Sequence, residues 1–210
     1  MAALWVTALD AGQPALAAGA VEVAIVTEAG APVEHAVVWL ETDLTAAPGA
    51  SPTAVMNQIN QQFVPFVLPV AVGTKVDFPN NDPFRHHVYS FSAAKSFELK
   101  LYGGGEVQTV TFDVPGPVAL GCNIHDNMLG YVYAVASPFF ATTDGKGVAR
   151  LTQVPAGTYP LRVWHPSQKT DAAPVAITIA EGGVLSERLT VAVRPDRRGR
   201  RPGAYDERGY

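Results

Sequence analysis

The single cysteine of this 210-residue chain, Cys122, is followed by His125 and Met128 inside the run Gly121–Tyr131, which reads GCNIHDNMLGY. A thiolate, an imidazole and a thioether within seven residues make a soft, mixed donor set. Such donors suit copper, for which a trigonal plane of two histidines and a cysteine, with a long axial methionine, forms an electron-transfer centre. That plane needs one more imidazole. The segment Asn80–Ser90, NNDPFRHHVYS, offers two, His86 and His87. Alternation along a strand sends them to opposite faces, so only one can enter the site. Taken singly, a cysteine is usually a small buried hydrophobe; the joint spacing is what points to a metal.

The elements that must position these donors read as strands. Hydrophobic residues make up 48% of the chain and charged residues 16%, enough for a full core. The 19 Gly and 17 Pro fall between short apolar runs, and no stretch keeps a helical repeat, so the chain reads as mostly β. Val118, Leu120 and Cys122 share one face, which puts the cysteine inward at a strand end. Asn123–Gly130 is then a connection between strands, with Tyr131–Val135 closing the sheet. His86, Val88 and Ser90 share a face, His87, Tyr89 and Phe91 the other. Phe66 to Val72, Val76 to Phe78, Phe97 to Leu101 and Val110 to Val114 alternate in the same way.

Outside this stretch, Val21–Glu41 reads as two strands around the turn Glu28–Pro32. Asp144-Gly145 is a hairpin-turn signal, Tyr159, Leu161 and Val163 alternate, and Val175–Ile179 and Val184–Val193 supply two further strands. Met1–Ala20 is Ala-rich and its Ala15-Leu16-Ala17-Ala18 looks like an export cleavage site, though it lacks Lys and Arg and Asp10 interrupts it. The expectation is a periplasmic protein. No run reaches the ~20 apolar residues of a membrane span. Residues 194–210 carry six Arg against three acids, and the remainder nine Lys/Arg against sixteen acids. A body of net charge −7 gives a nucleic-acid role no support, and the Arg-rich tail is expected to be disordered.

The middle of the chain, roughly Asn57–Ser137, resembles the cupredoxins, in particular plastocyanin-like proteins and amicyanin. The likeness runs from FPNN through KSFELKLY to LGCNIHDNMLGY, with the short Cys-x2-His-x2-Met spacing of amicyanin. It implies a Greek-key β-sandwich and one type 1 copper per chain, held by His86, Cys122, His125 and Met128. His87 stands where the family usually has Asn. Val88 reads as core and shares its phase with His86, which also favours His86. Pro83, Phe84 and Leu129 would form an apolar docking rim, and Asn80, Asp82, Asn123 and Asp126 are candidates to orient the imidazoles.

Asp144–Trp164, with GTYPLRV, looks like a carboxypeptidase-regulatory-like or transthyretin-like sandwich, and Val21–Leu40 like the first hairpin of that module. The expected organisation is all-β: an N-terminal segment 1–20, a cupredoxin unit 53–137, a second small β-sandwich from 21–50 and 138–193, and a tail 194–210. The functional expectation is one-electron transfer between redox partner proteins, without enzyme activity. Its rivals are copper capture or delivery without redox cycling, and a ligand-binding module with copper secondary. With five His in total and no His-x-His pair, a multicopper enzyme is poorly supported.

Overall fold

The computed structural model describes residues 18–44 and 53–194, and among these the regular elements are all strands. In chain order they are β1 (Gly19–Val26), β2 (Val37–Leu40), β3 (Ala54–Val55), β4 (Asn57–Ile59), β5 (Gln62–Val64) and β6 (Val67–Ala71). Next come β7 (Thr74–Pro79), β8 (His86–Ser92), β9 (Lys95–Tyr102), β10 (Val107–Phe112), β11 (Gly116–Gly121) and β12 (Leu129–Val135). The last five are β13 (Phe140–Thr142), β14 (Val148–Val154), β15 (Gly157–Trp164), β16 (Val175–Ile179) and β17 (Val184–Thr190). Among the described residues no helix is long and apolar enough to cross a membrane.

Two sheets share the core that carries the candidate donors. One has the order β6-β12-β11-β8-β9 and the other β10-β7-β3. Val76, Phe78, Val110 and Phe112 from the second meet Val70, Val88, Val118, Leu120 and Val132 from the first. Successive strands change sheet from β6 to β7, β7 to β8, β9 to β10 and β10 to β11, which is the wiring of a Greek key rather than a meander. Gly73 makes the first of these turns with φ 87°, a conformation a residue with a Cβ seldom adopts.

A second core lies between the sheets β14-β1-β17 and β13-β2-β15-β16. Val21, Val23 and Ile25 of β1 meet Leu40, Leu161, Val163 and Ile177 across it. A seam joins the two cores. Val37, Val67 and Val135 are buried there, and a run of aromatic contacts continues from Phe66 to Tyr131 (5.4 Å), Trp164 (5.7 Å), Tyr133 (4.9 Å) and Trp39 (5.2 Å). Because one face of β12 meets the seam and the other the middle core, Tyr131 and Tyr133 alternate with buried Gly130, Val132 and Ala134.

Several expectations need correction. β1 and β2 form where alternation puts them but are not a hairpin: β1 pairs with β14 and β17, β2 with β13 and β15. Asp144 does organise a turn, its Oδ1 accepting from Lys146 and Val148 N–H, yet β13 and β14 join different sheets across it. Each connection spans the second core instead of folding back along one sheet. The expected N-terminal segment overlaps the fold, since Gly19 and Ala20 open β1. The inward phase of β9 slips: Tyr102 is buried and Leu101 is 44% exposed. A bulge opposite His87, where His86 pairs with Tyr102 but Val88 with Leu99, inserts the extra residue. The export-site residues before residue 18, the linker over 45–52 and the tail over 195–210 lie outside the described residues.

The hairpin β4–β5 had no clear pattern in the sequence. It packs over the donor end of the sandwich with Phe63 buried, and a Cβ built on Gly130 of β12 would lie 2.6 Å from the Cβ of Phe63. Gly130→Ala is therefore expected to overpack this contact and destabilise the fold by about 1–3 kcal/mol. Chemical denaturation checks this, and an unchanged midpoint would contradict it.

Candidate metal centre

Strand β11 ends at Gly121, and the next residue, Cys122, keeps the inward phase set by Val118 and Leu120. It is 4% exposed. The chain then turns tightly, with the Met128 N–H donating to the His125 carbonyl at 2.9 Å, and β12 begins one residue later. This turn brings His125 Nδ1 to 3.6 Å from Cys122 Sγ. From the neighbouring strand, the first residue of β8 brings His86 Nδ1 to 3.9 Å from the same sulfur. One donor atom from each of the three residues lies within 4.8 Å of the others.

Those separations are the edges of a coordination figure. An ion bonded to sulfur at ~2.3 Å and nitrogen at ~2.0 Å, with angles of about 110–120°, holds the two ligands about 3.5–3.7 Å apart. The observed spacings of 3.6 and 3.9 Å fit an ion between the three groups with little movement. Met128 is 2% exposed and belongs to the same apolar cluster as Cys122. His86, Cys122 and His125 thus meet at one end of the middle sandwich, and Met128 is buried in the core three residues after His125.

His87 does not join them. It is only 7% exposed, and its Nε2 pairs with Glu98 Oε1 on β9 at 2.8 Å. His35 and His165 lie in the other half of the molecule, where they line a cavity with Phe66.

The His86 ring is fixed from behind. Its Nε2 lies 2.7 Å from Asp82 Oδ2. Asp82 also accepts the backbone N–H groups of Asn60 (2.6 Å) and Gln61 (2.9 Å). Burial pushes the Asp82 carboxyl up, but the bonds from Gln61, His86 and Asn60 together outweigh it and hold it below the ordinary value. An ionised carboxylate can only accept, so His86 Nε2 carries the proton and Nδ1 presents its lone pair toward Cys122.

Asn80, wholly buried, staples the same loop: its side chain accepts from Asp82 N–H and donates to the carbonyls of Phe84 and Tyr102. Asn123 and Asp126, also candidates for this work, are exposed. Phe84 lies edge-on to His86 at 5.3 Å and tilted beside His125 at 5.5 Å, covering the donors from solvent. Pro83, Phe84 and Leu129 are exposed, as is Ile124, at 51%.

No protein-family model matches the chain, and no curated protein matches it. Among solved structures, a copper-containing nitrite reductase from Thermus scotoductus is similar at 28% identity over 45% of this chain and 26% of that one, with a TM-score of 0.39. The chain therefore spans about a quarter of that enzyme. A purple cupredoxin from Nitrosopumilus maritimus is 22% identical over 39% of this chain and 96% of its own, TM-score 0.35. A reduced amicyanin variant is 19% identical over 47% and 98%, TM-score 0.37. Overlaps this partial leave the chemistry to the donor atoms themselves.

Burial lowers the affinity of His125 for a proton, and the adjacent His86 ring, at 4.9 Å, lowers it further against the opposing pull of Asp82. As pH falls, His125 in the metal-free protein should stay neutral, with Nδ1 free, to a lower pH than an ordinary imidazole. An NMR titration of the ring carbon proton checks this; a midpoint at or above the ordinary value of ~6.5 would contradict it.

Proposed function

We propose that this chain is a type 1 copper protein that carries one electron at a time between redox partner proteins, and that it works in the periplasm. The observation that carries the reading is the approach of two imidazole Nδ1 atoms to a single buried thiol, at 3.6 and 3.9 Å, at the end of a rigid β-sandwich. Cys122, His86 and His125 would hold the ion through a thiolate and two imidazoles, and Met128 would add a thioether. Copper bound there supplies a centre that accepts or releases one electron.

The residues of the chain do the rest. Cys122 offers a thiolate and His86 an imidazole whose proton is kept on the far nitrogen by Asp82. Phe84 limits water at the donors, while His125 stays partly exposed and offers the short route to a docked partner across Phe84, Ile124 and Leu129. Pairing to a redox protein needs no acid–base group, and this reading assigns no catalytic residue. The periplasmic assignment rests on the Ala-rich residues Met1–Ala20.

Loading the purified protein with Cu(II) should give one copper per chain and an intense visible thiolate-to-copper absorption, with a reversible one-electron couple by voltammetry. Cys122→Ser should abolish the band. Persistence of the band in that variant would remove Cys122 from the site. Tight Cu(I) binding with no reversible couple would replace electron transfer by copper capture and delivery.

A further inference from the structure

The turn between β4 and β5 has an unusual backbone. Asn60 and Gln61 both have positive φ, 53° and 55°, as a two-residue hairpin turn of the primed type requires. Neither is glycine. The register Asn57↔Val64, Gln58↔Phe63 and Ile59↔Gln62 leaves just these two residues as the loop. Their N–H groups, which in an ordinary hairpin face solvent, converge on the buried carboxylate of Asp82, one on each oxygen. The Oδ2 that takes Gln61 N–H also meets His86 Nε2.

The hairpin is anchored for this task. Gln58 of β4 is wholly buried, and its amide donates to the carbonyls of Phe78 and Pro79 and to the Tyr102 hydroxyl. The Tyr102 hydroxyl in turn donates to Phe78 O at 2.9 Å. On the far strand Phe63 packs against Gly130, and the carbonyl of Gln58 takes the Asn81 N–H at 2.9 Å. Gly104 closes the other side: a Cβ there would strike the Asp82 carbonyl, so the loop carrying Asp82 is gripped between the hairpin and the Gly103–Gly105 turn.

We infer that the Asn60–Gln61 turn is a positioning element of the metal centre: its two N–H groups fix Asp82, and Asp82 fixes His86 with the proton on Nε2 and Nδ1 open to the ion. The inference rests on the copper reading for the identity of the ion, but its core, the state of His86, is set before any metal binds. Three donors converge on two oxygens, so the arrangement requires a carboxylate. An amide in its place would turn an N–H2 toward at least one of them. When that N–H2 faces His86, the ring must move its proton to Nδ1 to accept from it, and the ligand lone pair is lost. Such outer partners of a metal-bound histidine typically set metal affinity by 10–100-fold.

The test uses the full chain, without metal first. Nitrogen-15 NMR of the wild type should show His86 as the Nε2–H tautomer, with the Asn60 and Gln61 amides slow to exchange. In Asp82→Asn, folded by circular dichroism, those amides should exchange faster and the His86 tautomer should shift toward Nδ1–H. A second variant, with two glycines inserted between Asn60 and Gln61, moves the turn donors while leaving Asp82 in place, and should speed exchange of the same amides and of the His86 Nε2–H proton as the loosened carboxylate leaves the ring. With Cu(II) added, both variants should bind roughly 10–100-fold more weakly than wild type. An Nδ1–H tautomer in the wild type, or His86 ring signals unchanged in both variants, would overturn the inference. A turn insertion that leaves His86 as in wild type while Asp82→Asn alters it would remove the turn from the centre. Failure of wild type to bind copper, with the tautomer shift still seen, would instead sink the copper reading alone.

Discussion

Three polar donors converge at the end of an apolar core, and each needs a partner there or carries a desolvation penalty of a few kcal/mol. The fold meets that constraint with one ionised group. Asp82 collects the His86 imidazole and two backbone N–H groups, so the buried carboxylate, the ring and the turn satisfy one another. The thiol of Cys122 is left facing two ring nitrogens with no stronger partner than these. On the inner side of the same ring, the donor atoms of Cys122, His86 and His125 face one another within 4.8 Å.

Much of this could be read from the chain because the chemistry and the pleat share a period. The period of two that buries Val118 and Leu120 also buries Cys122, and the same rule separates His86 from His87. The choice between those histidines survives a complication, since a bulge lies beside them. It shifts the pairing on β9, so Tyr102 and not Leu101 turns inward, and it leaves His87 buried on its own face. A bulge follows from local twist and crowding, which hydrophobic alternation does not encode.

What could not be read is pairing between distant strands. β1 lies beside β14 and β17, more than a hundred residues away, and the turn signals at Gly30 and Asp144 mark a reversal of the chain without saying which sheet receives the strand. The β4–β5 hairpin is hidden in the sequence for another reason. Its strands have three residues each, and its turn uses Asn-Gln where Asn-Gly is the usual signal. The energy that sustains two left-handed residues there comes from the Asp82 bonds, a tertiary contact invisible to local reasoning.

The strand that follows the Cys-His-Met turn is held on both faces. β12 starts directly after Met128, sends Val132 and Ala134 into the middle core and presses Tyr131 and Tyr133 against Trp164 and Trp39. It is also paired along both edges, with β11 and β6. A strand clamped in this way fixes the end of the turn from which it starts. On the copper reading proposed above, a fixed end at such a point would keep bond lengths nearly constant as the ion changed its charge, which is the condition for a small reorganisation energy.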